Sequence, residues 1–152
     1  MSQDAIELLK ADHDKVRELL KKLTQTTSRA VKSRQDLLEK IATELSIHTT
    51  LEEEVFYPAF KKVDGKLHEK MYFEAREEHR AVEDLVLPDL KKTEPDSESF
   101  AGRAKVLKEL VEHHASEEEE EMFPKARKSM STKQLNELGE RMEERKRELQ
   151  KA

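Results

Sequence analysis

His48-Thr-Thr-Leu-Glu52-Glu-Glu-Val-Phe-Tyr-Pro58 is answered later in the chain by His114-Ala-Ser-Glu-Glu118-Glu-Glu-Glu-Met-Phe-Pro124. In each stretch a carboxylate follows an imidazole by four residues, and a proline stands at the same distance beyond. Residues four apart on a helix lie one above the other on one face. A His and a Glu so placed can grip one metal ion, or lean a bridging carboxylate across two. His13 and His79, one on each of two other segments, supply the rest of the pattern.

Outward from these stretches the apolar residues recur at three and four. Ile6, Leu9, His13, Val16, Leu20 and Leu23 trace a first helix from Asp4 to Thr26, followed by a Ser/Thr-rich turn, Thr24 to Ser33. Leu38, Ile41, Leu45, His48, Glu52, Val55 and Ala59 trace a second, ended by Asp64-Gly65. Tyr72, Ala75, His79, Val82 and Val86 form a third, broken at Thr93-Glu94-Pro95-Asp96. Phe100, Ala104, Leu107, Val111, His114, Glu118 and Met122 form a fourth, stopping before Pro124 and the Ser129-Met130-Ser131 turn. This alternation is the inward face of an antiparallel up-down four-helix bundle, an all-α fold. Ser131 and Gln134 read as a capping box. They start a short fifth helix whose thin stripe, Leu135, Leu138, Met142 and Leu149, packs on the outside or one end of the bundle. The expected organisation is a bundle over residues 1–128 and a helical extension over 129–152.

Composition narrows the function. With 41% charged and only 35% apolar residues, a random pattern would mean disorder, but the periodicity is helical throughout. Acidic and basic side chains interleave to a net charge of −5 without a basic stripe, which argues against nucleic acid as partner. The absence of cysteine excludes disulfides and thiolate metal sites. Met1-Ser-Gln-Asp-Ala5 lacks the apolar run of a signal peptide, and nothing approaches membrane-spanning length, so a cytoplasmic protein is expected.

His13, His48, Glu52, His79, His114 and Glu118 all stand where the periodicity demands an apolar residue. Burying six such groups without partners would cost several kcal/mol. A domain stable by only ~5–15 kcal/mol could hardly absorb that. Each histidine lies roughly 13–15 residues, or ~20 Å, from the turns it shares with its neighbours, so antiparallel packing brings all four to one depth. Four imidazoles and two bridging carboxylates suit two ions better than one, and leave room for a bridging oxygen and a small exogenous molecule. Nitrogen and oxygen donors without thiolate suit iron best, with manganese or zinc as alternatives. Dioxygen, peroxide or nitric oxide would bind at the open position, behind apolar walls from Phe56 and Met122.

His13, His48-x3-Glu52, His79 and His114-x3-Glu118, with Phe56-Tyr57-Pro58 and Met122-Phe123-Pro124, resemble the hemerythrin-like (HHE cation-binding) family over residues 4–128. The Gly139-Glu-Arg-Met-Glu-Glu-Arg145 segment is similar to family members as well. The resemblance implies a four-helix bundle around a non-haem di-iron centre, oxo- or hydroxo-bridged, with those six residues as its ligands. Two departures stand out. Oxygen-carrying hemerythrins have a second His four residues after the helix-three His, where this chain has Glu83, and His-x4-Asp on the last helix, where it has His-x3-Glu. A harder, anionic donor favours the oxidised metal and disfavours reversible oxygenation.

The neighbouring polar residues read as follows. Aligning Pro58 with Pro124 pairs His48 with His114, which leaves His113 supporting the site or solvated. His68 is structural, near the bundle end. Of the Glu117–Glu121 run only Glu118 has a role, and the rest is a solvated face. Glu83 is an extra ligand, or else a supporting or solvent-facing neighbour, while Tyr57 and Tyr72 pack, with shielding or hydrogen bonding near the site as the alternative. The resulting expectation is a di-iron protein that binds or reacts with dioxygen, peroxide or nitric oxide. The alternative is an iron- or oxygen-responsive sensing or interaction module without turnover, read through the fifth helix. Ferritin-type oxidase chemistry fits less well, because those bundles use Glu-x2-His pairs.

Overall fold

The structure, a computed structural model, describes residues 3–63 and 65–152, with side chains for all of these except residues 65–67. Helix α1 is Ala5–Gln25. Helix α2 (Val31–Leu51) runs through a wide turn, Glu52–Phe56, into α3 (Tyr57–Val63). Helix α4 (Gly65–Arg80) runs through Ala81–Val86 into α5 (Leu87–Lys91). Helix α6 (Glu98–Glu117) runs through Glu118–Met122 into α7 (Phe123–Ser129), and α8 (Thr132–Lys151) ends the chain. The result is four antiparallel rods, up and down, with a fifth helix against them, the fold that the periodicity predicts. Of the expected stop at Asp64-Gly65, Asp64 lies outside the described residues, and Gly65 opens α4.

The helix starts are set by local hydrogen bonds. Asp4 and Glu7 form a reciprocal capping box on α1, Ser97 caps α6, and Ser131 with Gln134 forms the predicted box on α8. At the far end of the bundle, the buried guanidinium of Arg34 donates to Thr26 Oγ1 and to the carbonyls of Thr26 and Pro95. It thereby ties together the two loops at that end.

Three of the four rods contain a π-type turn, which a straight-helix reading misses. The amides of Tyr57, Leu87 and Phe123 each reach back five residues, to the carbonyls of Glu52, Val82 and Glu118. Each of these amides is followed directly by a proline: Pro58, Pro88 and Pro124. Proline has no N–H and crowds the preceding turn. Widening that turn lets the rod continue where an α-helix would break. The fourth rod accordingly passes through Pro124 to Ser129 instead of stopping before it. The extra residue also rotates everything beyond it by ~100° relative to an ideal helix.

The core has two halves. Val16, Leu20, Ile41, Leu90, Phe100 and Leu107 fill one. Ile6, Leu51, Phe56, Phe60, Phe123 and Met142 are among those that fill the other. Helix α8 completes this second half and spans 20 residues, as many as α6, rather than the short helix its thin stripe suggested. Its approach requires Gly139. A Cβ there would fall 2.9 Å from the carbonyl carbon of Asp4 and 3.0 Å from the amide of Ala5, closer than atoms pack. No helix among the described residues is long and apolar enough to cross a membrane.

Candidate metal centre

Between the two apolar halves lies a polar layer built by all four rods. His13 comes from α1, His48 from α2 and His79 from α4. His114 comes from α6, and Glu52 and Glu118 open two of the wide turns. All six are buried, Glu52 completely. The structure brings all six sequence-predicted residues together in two groups. One is His13, His48, Glu52 and Glu118; the other is Glu52, His79 and His114, with donor atoms in each within 4.8 Å of one another. Glu52 Oε1 lies 3.1 Å from His48 Nε2, 3.0 Å from His79 Nε2 and 3.6 Å from His114 Nε2. Glu118 Oε1 lies 3.0 Å from His13 Nε2 and 3.3 Å from His114 Nε2. Each carboxylate therefore touches imidazoles of both groups, as a bridge between two ions would.

The reason every Nε2 points inward is on the outer side of each ring. His13 Nδ1 donates to Glu119 at 2.7 Å, and His48 Nδ1 to Asp12 at 3.3 Å. His79 Nδ1 donates to Glu53 and His114 Nδ1 to Glu78, both at 2.7 Å. The four contacts close a ring around the bundle, in which each rod's carboxylate holds the next rod's histidine. Such a hydrogen bond fixes the tautomer, leaves the Nε2 lone pair free and raises its basicity. The donor set fits a metal for a further reason. His48 Nε2 and Glu52 Oε2 are buried without a hydrogen-bond partner, a costly arrangement unless an ion takes them up.

Tyr57, read from the sequence as a packing residue with a hydrogen bond near the site as the alternative, belongs to the site. On an ideal helix it sits nine residues after His48, ~180° away and facing outward. The wide turn between them removes ~100° of that and brings the ring inward. Its hydroxyl donates to Glu118 Oε2 at 2.7 Å, and its oxygen lies 3.3 Å from His79 Nε2 and 3.4 Å from His114 Nε2. Burial, then the charges of Glu118 and Glu52, push the Tyr57 hydroxyl well above its ordinary range, so it stays protonated there. Phe123, its counterpart in the repeat, stacks on His13. Tyr72 packs edge-on against Tyr57, as expected.

The remaining candidates fall outside the layer. His113 is exposed, 3.1 Å from Glu117 and 3.5 Å from Glu78. His68 is buried against Phe60 and bonds its carbonyl, a structural role. Glu83 is half-buried beside His79, in neither donor group, with Oε1 lacking a partner and burial pushing its carboxyl up. Glu119 corrects the expectation of a solvated run, since it holds His13. Glu74, Glu117 and Glu121 line a cleft that reaches Glu118 and His114. On another side, a cavity of about 30 Å³ borders all four histidines and is otherwise walled largely by Val16, Leu45, Val82, Val111 and Ala115.

Without metal, three imidazoles of the layer, those of His48, His79 and His114, hold their protons more tightly than a free imidazole does. Burial pulls the His48 imidazolium down, but the charge of Glu52 beside it and the hydrogen bond to Asp12 outweigh it and carry its pKa up to about 10. His79 and His114 are raised in the same way against burial, chiefly by Glu52 and Glu118. Burial raises Glu52 too, yet His48 beside it and hydrogen bonds hold it well below its ordinary value. A pKa raised on folding adds stability that is fully present below the ordinary value of 6.5 and is lost as pH rises through the folded value, about 10 for His48. The metal-free chain should therefore show a falling Tm from about pH 6.5 to pH 10, measured in the presence of chelator. The loaded chain should show a much flatter profile, because an ion replaces those protons. Parallel profiles would contradict this.

The chain matches the family described as the hemerythrin HHE cation binding domain over residues 4–126, and it belongs to that family. Among solved structures it is similar to a hemerythrin HHE cation binding domain-containing protein from Mycobacterium kansasii. The two share 29% identity at a TM-score of 0.83, over 97% of this chain and 87% of the other. It is also 28% identical over 129 residues to a DNA nickase from Nostoc sp. (strain PCC 7120 / SAG 25.82 / UTEX 2576). That match covers 84% of this chain but only 35% of the nickase, so the chain spans about a third of that protein's length. With this family and its buried His/Glu layer, the protein is a metal-binding helical bundle.

Proposed function

We propose that the layer holds two non-haem iron ions, and that the pair binds or reacts with a small molecule such as dioxygen, peroxide or nitric oxide. One ion would take His13 and His48, the other His79 and His114, with Glu52 and Glu118 shared between them. The observation that carries the reading is the ring of four outer carboxylates, which turns every Nε2 toward a common centre. Isolated structural histidines have no need of such a ring. When bound, the iron pair supplies one-electron redox chemistry and an open position for a ligand.

The surrounding residues bind, orient and exclude. Glu52 and Glu118 set the spacing of the two positions. Tyr57 holds its protonated hydroxyl oxygen 2.7 Å from Glu118 Oε2, within reach of both His79 and His114. The apolar cavity beside the histidines has about the volume of one water molecule or a diatomic, and its walls favour a neutral ligand. Glu83 stands outside both donor groups, so the His79/His114 position lacks the further imidazole of oxygen carriers, a departure that supports reaction over reversible oxygen carriage.

The test is an anaerobic iron-loaded sample, reduced and then given dioxygen, peroxide and nitric oxide separately, and followed by absorption. About two irons per chain and a spectral change with at least one ligand are expected. A reversible oxygen adduct means a carrier or sensor, and rapid peroxide loss means an enzyme. A chain that takes up only trace iron, or a loaded chain inert to all three, ends the proposal.

A further inference from the structure

The four carboxylates of the ring differ in what holds them. Asp12 accepts His48 on Oδ2, while Oδ1 takes Lys146 Nζ of α8 at 2.6 Å. Glu119 accepts His13, and also Arg17 Nη1 at 2.9 and 3.2 Å. Arg17 is kept there by two hydrogen bonds to Glu112, at 2.8 and 3.2 Å. Both carboxylates behind the His13/His48 pair are thus capped by a permanent cation.

The other two lack such a cap. Among the described residues, neither Glu53 nor Glu78 accepts a hydrogen bond from a lysine or arginine. Glu53 meets Arg76 at 3.7 Å, and that side chain is half-exposed. Glu78 faces His113 at 3.5 Å, on a surface it shares with Glu117. The His79/His114 pair is therefore backed by two carboxylates with most of their negative charge intact.

A carboxylate on imidazole Nδ1 pushes electron density toward Nε2 and the metal. A cation on the same carboxylate draws part of it back. In a partly buried layer these charges are weakly screened, so the difference reaches the ions. We propose that Lys146 and Arg17 make the His13/His48 position the more easily reduced of the two. A singly reduced pair then keeps its ferrous ion at His13/His48 and its ferric ion at His79/His114. Lys146 is a positioning residue acting through Asp12, and through it α8 sets the inequality of the two positions. This rests on the two-iron reading above.

The experiment is an electrochemical titration of the iron-loaded, full-length chain, with the mixed-valence state counted by electron paramagnetic resonance. Its readout is the comproportionation constant, the equilibrium between the mixed-valence pair and the two symmetric states. Lys146→Met exposes the full charge of Asp12 and makes the first reduction harder, so the constant should fall roughly tenfold. Lys146→Arg should restore it. Glu53→Gln removes charge at the other position, makes the second reduction easier, and should lower the constant as well. Should Lys146→Met lose iron or fail to fold, Glu53→Gln decides alone. An unchanged or increased constant in the deciding variant, at wild-type iron content, overturns the proposal. Failure of the two-iron reading would look different, because the wild-type chain itself would then give no two-step reduction and no mixed-valence signal.

Discussion

Glu52→Ala should lower bound metal from about two ions per chain to less than one, with the helical circular dichroism unchanged. No other single residue reaches as far across the layer. Glu52 belongs to both donor groups, and its Oε1 lies within 3.6 Å of imidazoles from three different rods. Removing one histidine leaves the opposite position with its own pair, whereas removing Glu52 takes an anionic donor from both. The fold should survive, since deleting a buried carboxylate also removes its desolvation cost, and both apolar halves of the core stay intact. His113→Ala is the matched control, because that imidazole is exposed and outside the layer. Elemental analysis after loading and desalting reads the result. Two ions retained in Glu52→Ala would mean that the layer is not the metal site.

The bundle was legible because its signal is redundant. Each rod repeats the three-and-four alternation over about four to six turns, so one misread residue changes nothing. The six layer residues were legible for a related reason: each interrupts an apolar seam, and their depths agree between rods. The inward direction of Tyr57 was not legible, because it depends on a wide turn of the backbone, and 3.6-residue periodicity assumes that no such turn exists. The prolines carried a hint of it. Pro58, Pro88 and Pro124 all lie inside runs that otherwise read as helix, and a rod can continue through proline only by changing its turn.

The outer carboxylates were missed for a different reason. Asp12, Glu53, Glu78 and Glu119 lie off the apolar seam, where acidic residues are normally solvated. Their partners are on neighbouring rods, and no spacing within one helix can show such a pairing. One trace does exist in the sequence. Each of the four is adjacent in sequence to a layer residue: Asp12 to His13, Glu53 to Glu52, Glu78 to His79 and Glu119 to Glu118. Adjacent side chains diverge by ~100°, so one that points to the bundle axis has a neighbour that points toward the next rod. The pattern is thus a consequence of helix geometry, and it separates Glu119 from the exposed Glu120 and Glu121 in an otherwise uniform acidic run.

Ala115→Val should slow nitric oxide and dioxygen binding to the reduced, loaded protein by about tenfold or more, with metal content unchanged. The argument is one of volume. The cavity beside the four histidines measures only about 30 Å³, and Ala115, buried in its wall, follows His114 directly. Two added methyl carbons take up most of that space. Overpacking costs about 1–3 kcal/mol. A barrier increase of about 1.4 kcal/mol is already enough for a tenfold loss of rate. Val111→Ala, on the same wall, should act in the opposite direction by enlarging the space, with a stability loss of about 1–3 kcal/mol from its own deleted methyl groups. The pair separates access from chemistry. Neither side chain carries a donor atom, so a rate that moves in opposite directions in the two variants, at constant iron, reports passage through the cavity. Stopped-flow absorption supplies the rates. If Ala115→Val binds both gases as fast as wild type, the ligand reaches the centre by another route, and the acidic cleft over Glu118 and His114 becomes the place to look.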